Sequence, residues 1–176
     1  MSVPQKSSSD NPLIIGIDPG TAITGYGIIT AKGSSWAAVD FGCIRSPKEL
    51  KLSDRYLIIY DSLMALLEAY QPGALAVETQ FVYKNAQSAL KLGMVRGIVI
   101  LAAKKKGISV FEYTPSEAKR AVLGNGAADK KQVQWMIQRL LQLSVLPTPQ
   151  DASDALALAL CHAHTRRLIQ FKSKEV

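Results

Sequence analysis

Apolar residues follow two rhythms along this chain. Ile14-Ile15-Gly16-Ile17 runs without interruption into Asp18, the pattern of a fully buried strand with a carboxylate at its tip. Pro19-Gly20 turns the chain, and Lys32-Gly33 marks a second turn. The short links predict an antiparallel meander of Leu13–Asp18, Thr24–Thr30 and Ser35–Ile44. The rhythm then becomes helical: Leu52, Tyr56, Ile59, Leu63, Leu66 and Tyr70 alternate spacings of four and three, and Pro72-Gly73 stops the helix. Ala74–Val77 reads as a short strand ending in Glu78, and Phe81–Asn85 as a loop. A long helix from about Ala86 to Lys105, a strand Ile108–Tyr113 and a short helix Pro115–Val122 follow. Leu123–Ala128 is a Gly-rich connection. Asp129 caps a helix Lys130–Leu143, with Gln132 in the capping-box position. After the rigid turn Pro147-Thr148-Pro149, a last helix runs from Gln150 to about Phe171.

This order predicts an α/β fold: a mixed five-stranded sheet, three strands antiparallel and two parallel, flanked by helices. One domain over residues 13–172 accounts for the whole pattern, and its size supports a core without staples. Residues 1–12, rich in Ser, Gln, Asn and Pro, read as a disordered tail, and 173–176 as a C-terminal tail. No apolar run reads as a membrane span, and no signal-peptide core is recognisable. Cys43 and Cys161, both in apolar segments, read as buried thiols in a reducing compartment, so a cytoplasmic location is expected.

Charged positions change the picture. Asp18 at a strand tip needs a partner, although an Asp beside Pro-Gly also serves as a turn cap. If the later strands run parallel to the first, Asp18 and Glu78 emerge at the same sheet edge, where open α/β sheets bind ligands. Asp151 and Asp154 open the last helix three residues apart, on one face. Capping explains one of them; two like charges on one face repel. The apolar run Ala155–Leu160 behind them predicts a helix packed on the sheet, with its acidic start facing the strand tips.

Four clustered carboxylates demand cations. Oxygen-only ligands suit hard divalent ions such as Mg²⁺ or Mn²⁺ rather than zinc. Two such ions about 3.5–4 Å apart are a common device for phosphodiester cleavage. The chain itself is basic, with net charge +7 and a pI of about 9.5, which favours a polyanionic partner. Lys104–Lys106, Lys119-Arg120, Lys130-Lys131 and Arg166-Arg167 lie near element ends; the first fits a helix C-terminus equally well. An acidic pocket on a basic chain is consistent with nucleic-acid chemistry. His162 and His164 do not make a zinc pair, because a spacing of two points them about 200° apart on a helix.

The motif Ile14-Gly16-Ile17-Asp18-Pro19-Gly20-Thr21 with Gly25-Tyr26-Gly27 resembles the opening of the RuvC family of crossover (Holliday) junction endodeoxyribonucleases. Val77–Phe81, then Lys84–Gly93 and Arg96-Gly97, is similar to that family's second motif, which is longer and more specific. Asp151-Ala152-Ser153-Asp154 resembles the acidic start of its final helix. Together the matches run from Leu13 to His164.

The resemblance implies a ribonuclease-H-like fold and a homodimer that resolves four-way junction DNA by symmetric nicking of two opposed strands in recombination and repair. It implies two Mg²⁺ per site, replaceable by Mn²⁺, held by Asp18, Glu78, Asp151 and Asp154. It also implies a branch-migration helicase complex of the RuvA and RuvB type as partner. Phe81 falls on an aromatic that contacts unstacked bases, and Lys119 and Lys130 match basic positions linked to DNA contact or catalysis. Lys84, inside the second motif, and Lys131, beside Lys130, complete the candidate DNA-binding set. Leu90 and Met94, with the small residues Ala86, Ala89, Gly93 and Gly97, mark the long helix as the expected dimer face. Thr79 stands where Gln is common in the family, and the segment before Leu13 is longer than usual.

Overall fold

The computed structural model describes residues 12–79, 86–126 and 129–172. Phe81, Lys84, the 81–85 loop and both expected tails, apart from Pro12, lie outside the described residues. The order is β1 (Ile14–Asp18), β2 (Ile23–Lys32), β3 (Ser35–Arg45), α1 (Leu52–Tyr70), β4 (Ala74–Glu78), α2 (Ala86–Lys105), β5 (Ser109–Tyr113), α3 (Pro115–Leu123), α4 (Lys130–Leu140) and α5 (Gln150–Lys172). The five strands form one sheet in the order β3-β2-β1-β4-β5. β1, β2 and β3 pair antiparallel; β1 with β4 and β4 with β5 pair parallel. This is the expected mixed sheet, and its register sets Ile17 beside Val77, so Asp18 and Glu78 leave adjacent strands at the same edge.

The sheet separates two cores. On one face, Ile15, Ile17, Ile28, Leu75 and Val77 pack with Ile59, Leu63 and Leu67 of α1 and Val95, Val99, Ala102 and Ala103 of α2. On the other, Ile14, Ile29 and Ala76 meet α3, α4 and α5. β1 and β4 are buried on both sides, which is why their sequences are apolar runs rather than alternations.

α5 is the buried helix of the second face. Ala152, Ala155, Ala159 and Ala163 recur at helical spacing and are all almost fully buried. Their small side chains match glycines in the sheet. A Cβ on Gly16 would collide with the backbone oxygen of Ala155, and one on Gly25 with the backbone oxygen of Asp151. One on Gly27 would lie 2.8 Å from the backbone nitrogen of Leu156. The helix backbone therefore rests directly on β1 and β2.

The helix ends show where local signals mislead. α4 stops at Leu140, three residues before the expected Leu143. Gln142 adopts a left-handed conformation (φ 53°), and the Leu143 N–H donates to the Gln138 carbonyl at 2.9 Å. That is a Schellman closure built on Gln instead of the usual Gly, so no glycine marks it in the sequence. α1 likewise ends on a left-handed Gln71 before Pro72. The capping box at Asp129 and Gln132 is formed as expected, and Thr114 with Glu117 forms a second one on α3.

α2 departs from expectation in one respect: it is long and apolar enough, by length and composition, to cross a membrane. Its apolar residues are divided, however. One stripe enters the core, while Leu90 (71% exposed), Met94 (56%) and Leu101 face outward. Arg96 on this helix pairs with Glu112 of β5.

Gly16→Ala is expected to lower unfolding free energy by about 1–3 kcal/mol, the usual penalty for overpacking, because the backbone of α5 must lift from β1. Urea denaturation of the two chains measures it. An unchanged midpoint would show that α5 is free to shift at no cost.

Candidate active site

Three elements deliver the acids. Asp18 is the last residue of β1, Glu78 the last of β4, and Asp151 and Asp154 sit in the first turns of α5. Because α5 lies flat on β1 and β2, its N-terminus ends over the strand tips. Asp18, Glu78 and Asp154 line one cleft of about 310 Å³. Pro115, Ala118 and Lys119 of α3, Lys130 and Val133 of α4, and Ala157 of α5 complete its lining. The cleft thus has an acidic wall built from the sheet and α5, and a basic wall built from α3 and α4. Asp151 is close enough to raise the Asp18 pKa but does not itself line the cleft; it lies toward Cys43. Lys131 is exposed beside Lys130 and outside the cleft lining.

The electrostatics follow from that placement. Asp18 is pushed up to about 8, first by burial, then by Glu78, Asp154 and Asp151, with Lys130 opposing. Glu78 is raised by burial and by Asp154, and Lys130 again opposes. Asp154 is raised by burial, with Lys130 pulling it back down. Cys43, at the same end of the sheet, is raised to about 11 by burial and by Asp151, so its thiol stays protonated and is a poor metal ligand. It is half-buried rather than core, unlike Cys161.

Two lysines do not neutralise this set, and Asp18 is raised by burial and by the three neighbouring acids. The donors are carboxylate oxygens without imidazole or thiolate, which fits a hard divalent cation. Among the described residues, no three of these groups are yet arranged to hold an ion. The carboxylate chemistry and the shortage of positive charge fit such an ion.

The sequence reading missed the latch that fixes the turn after Asp18. The Thr21 carbonyl accepts from Ser46 Oγ (2.6 Å) and from the Arg55 guanidinium. Ser46 N–H donates to the Ala22 carbonyl at 3.0 Å, and Thr24 Oγ1 donates to the Gly20 carbonyl at 2.8 Å. The signal was invisible because Arg55 sits in α1, whose pattern reports only its buried face. His162 is structural. It is buried against Phe111, exchanges a 2.8 Å hydrogen bond with Tyr113 Oη, and is lowered to about 4 by burial. His164 Nδ1 lies 3.1 Å from the Ala121 carbonyl, also away from the cleft.

Asp18 generates a prediction with a definite sign. Its folded pKa lies above the ordinary 3.8, so the folded chain holds this proton more tightly than the unfolded one. That contribution is complete below about pH 3.8 and is lost as pH rises through about 8. Without metal, Asp18→Asn is therefore expected to melt several degrees higher than the parent at pH 8, with the difference vanishing at pH 4. Thermal unfolding in EDTA at the two pH values measures it. Equal melting at pH 8 would mean that Asp18 is not a buried uncompensated charge.

Comparison with known proteins shows the family. Residues 14–162 match the family described as Crossover junction endodeoxyribonuclease RuvC. A Crossover junction endodeoxyribonuclease RuvC from Protochlamydia amoebophila is 57% identical over 155 residues, covering 88% of this chain and 92% of that protein. One from Ruminiclostridium cellulolyticum is 44% identical over 156 residues, covering 89% and 94%. The structure of T. thermophilus RuvC in complex with Holliday junction substrate superposes with a TM-score of 0.84 at 33% identity, covering 89% of this chain and 96% of that one. With most of its length matched by the family and by close relatives, and its acids gathered at the tips of the same sheet, this chain belongs to the RuvC family of crossover junction endodeoxyribonucleases.

Proposed function

We propose that this protein resolves four-way (Holliday) DNA junctions by divalent-metal-dependent hydrolysis of a phosphodiester in each of two opposed strands. The observation that carries the reading is the two-walled cleft, with carboxylates on the rigid sheet edge and lysines across from them. Asp18, Glu78, Asp151 and Asp154 are the residues that hold Mg²⁺, or Mn²⁺ in its place. When bound, such ions activate water at neutral pH and stabilise the charge gathering on the phosphate and leaving oxygen. The chain's own groups do the positioning. Lys119 and Lys130 attract the DNA backbone into the cleft and partly offset the acids before a metal arrives. The latch from Ser46 and Arg55 holds the turn after Asp18, which keeps this carboxylate from following an incoming phosphate.

Two opposed cuts require two sites, and α2 offers the surface that would pair them. At Gly93 and Gly97 a Cβ would meet nothing within 4 Å, so neither glycine is packed on its own sheet. They open a shallow stripe beside exposed Leu90 and Met94, the surface a second copy covers in a two-fold dimer.

Two experiments test these readings. With labelled DNA and Mg²⁺, the parent is expected to nick a four-way junction symmetrically, and EDTA or Asp18→Asn to abolish cutting by at least about a thousandfold, the scale on which electrostatic catalysis operates. Equal cutting of linear duplex would overturn junction selectivity. Gly97→Arg, which finds open space within its own fold, is expected to leave the melting of the monomer intact and to halve the mass measured by light scattering. A persistent dimer would remove α2 from the interface.

A further inference from the structure

The outward face of α4 carries a feature the catalytic cleft does not use. Lys131, Trp135 and Arg139 recur every four residues, so their side chains stack along one stripe of the helix. The opposite stripe, Val133 and Ile137, is in the core. Trp135 is 57% exposed, an unusual position for the largest apolar side chain. It borders a hollow of about 360 Å³ between the end of α3 and α4, lined by Leu123, Asn125, Gln132, Trp135, Met136 and Arg139.

The chemistry of that lining selects its occupant. An exposed indole offers a plate on which any base can stack. Leu123 and Met136 give an apolar wall beside it. Arg139 lines the hollow, Lys131 stands one turn before Trp135 on the same stripe, and among the described residues no acid lines it.

The location points the same way. α4 begins at Lys130, which lines the catalytic cleft. Trp135 is five residues further on, about 7.5 Å along the helix axis. The two side chains also point about 140° apart around the helix, so a strand leaving the cleft would cross the start of α4 to reach Trp135.

We propose that the hollow between α3 and α4 is a nucleotide subsite outside the cleft, where a base flanking the cleaved position stacks on Trp135 while Lys131 and Arg139 engage its phosphates. The inference rests on the junction-nuclease reading and adds a contact beyond the acids and Lys119 and Lys130.

The chain reports on this site itself, since Trp36 and Trp135 are its two tryptophans and Trp36 is the less exposed. In a chain carrying Asp18→Asn, which leaves DNA whole, adding a four-way junction is expected to quench the emission and reduce its quenching by acrylamide. Trp135→Phe is expected to remove that change. Trp135→Ala is expected to weaken junction binding roughly 5- to 100-fold, the range one stacked base contributes, with melting temperature unchanged. Trp135→Phe, which keeps a ring, is expected to recover most of the affinity.

Tight binding in a mobility shift with unaltered emission and acrylamide access would overturn the subsite and leave the nuclease reading standing. Equal losses in the Phe and Ala variants would overturn stacking. Failure of the parent to bind or cut any junction would overturn both readings.

Discussion

The direct seating of the α5 backbone on β1 and β2 is the constraint on which this molecule depends. Most helices stand off a sheet by a layer of side chains. Here the alanine stripe of α5 meets Gly16, Gly25 and Gly27, so backbone touches backbone. Two consequences follow. The core on that face is shallow and must be completed from the flanks, by Leu156, Leu158 and Leu160 and by the short helices α3 and α4. More important, the start of α5 has no slack. Gly25 pairs with Asp18 across the sheet and also meets the backbone of Asp151. Acids distant in sequence are thereby held to one another through main chain, the least deformable link available.

That rigidity is spent on an unfavourable arrangement. Burial and mutual repulsion raise Asp18, Glu78 and Asp154 together, and Lys130 offsets only part of it. A fold selected for stability alone would replace one of these acids with a neutral residue. The conflict between local electrostatics and global packing is concentrated at this one edge, as expected where a cation completes the structure. Elsewhere polar side chains tie elements together: Tyr26 and Tyr70 both donate to Asp40, which fastens α1 to the meander, and Lys106, just beyond α2, pairs with Glu68 of α1.

Much of this was legible in the sequence because it depended on period and on chain order. Apolar runs in β1 and β4 announced strands buried on both faces. Carboxylates at their ends could be placed at one edge once the strands ran parallel, and the register bears this out. What escaped had no periodic signature. The Schellman end of α4 uses Gln142 in a conformation that sequence assigns to Gly. The latch on Thr21 joins a loop, a strand end and a helix that only folding brings together. Trp135 was hidden for a different reason: a helix pattern is read from its buried positions, and an aromatic on the opposite stripe adds nothing to that pattern. Lengthwise apolarity also failed to distinguish a membrane span from α2, whose two apolar stripes face a core and the outside.

The two walls of the cleft differ in the tolerance they need. Asp and Glu have short side chains, so the positions of Asp18, Glu78 and Asp154 are set by backbone, and the backbone there is sheet and seated helix. Lys119 and Lys130 have long side chains that absorb displacement of their backbones. They come from α3 and α4, short helices that pack on α5 through side chains such as Ala118, Val122, Val133 and Ile137. An enzyme acting on a branched and deformable polyanion needs this asymmetry. In the function proposed above, the acids must keep their geometry whatever DNA enters, whereas the lysines must follow its backbone. The close approach that Gly16, Gly25 and Gly27 permit meets the first requirement, and the reach of lysine meets the second.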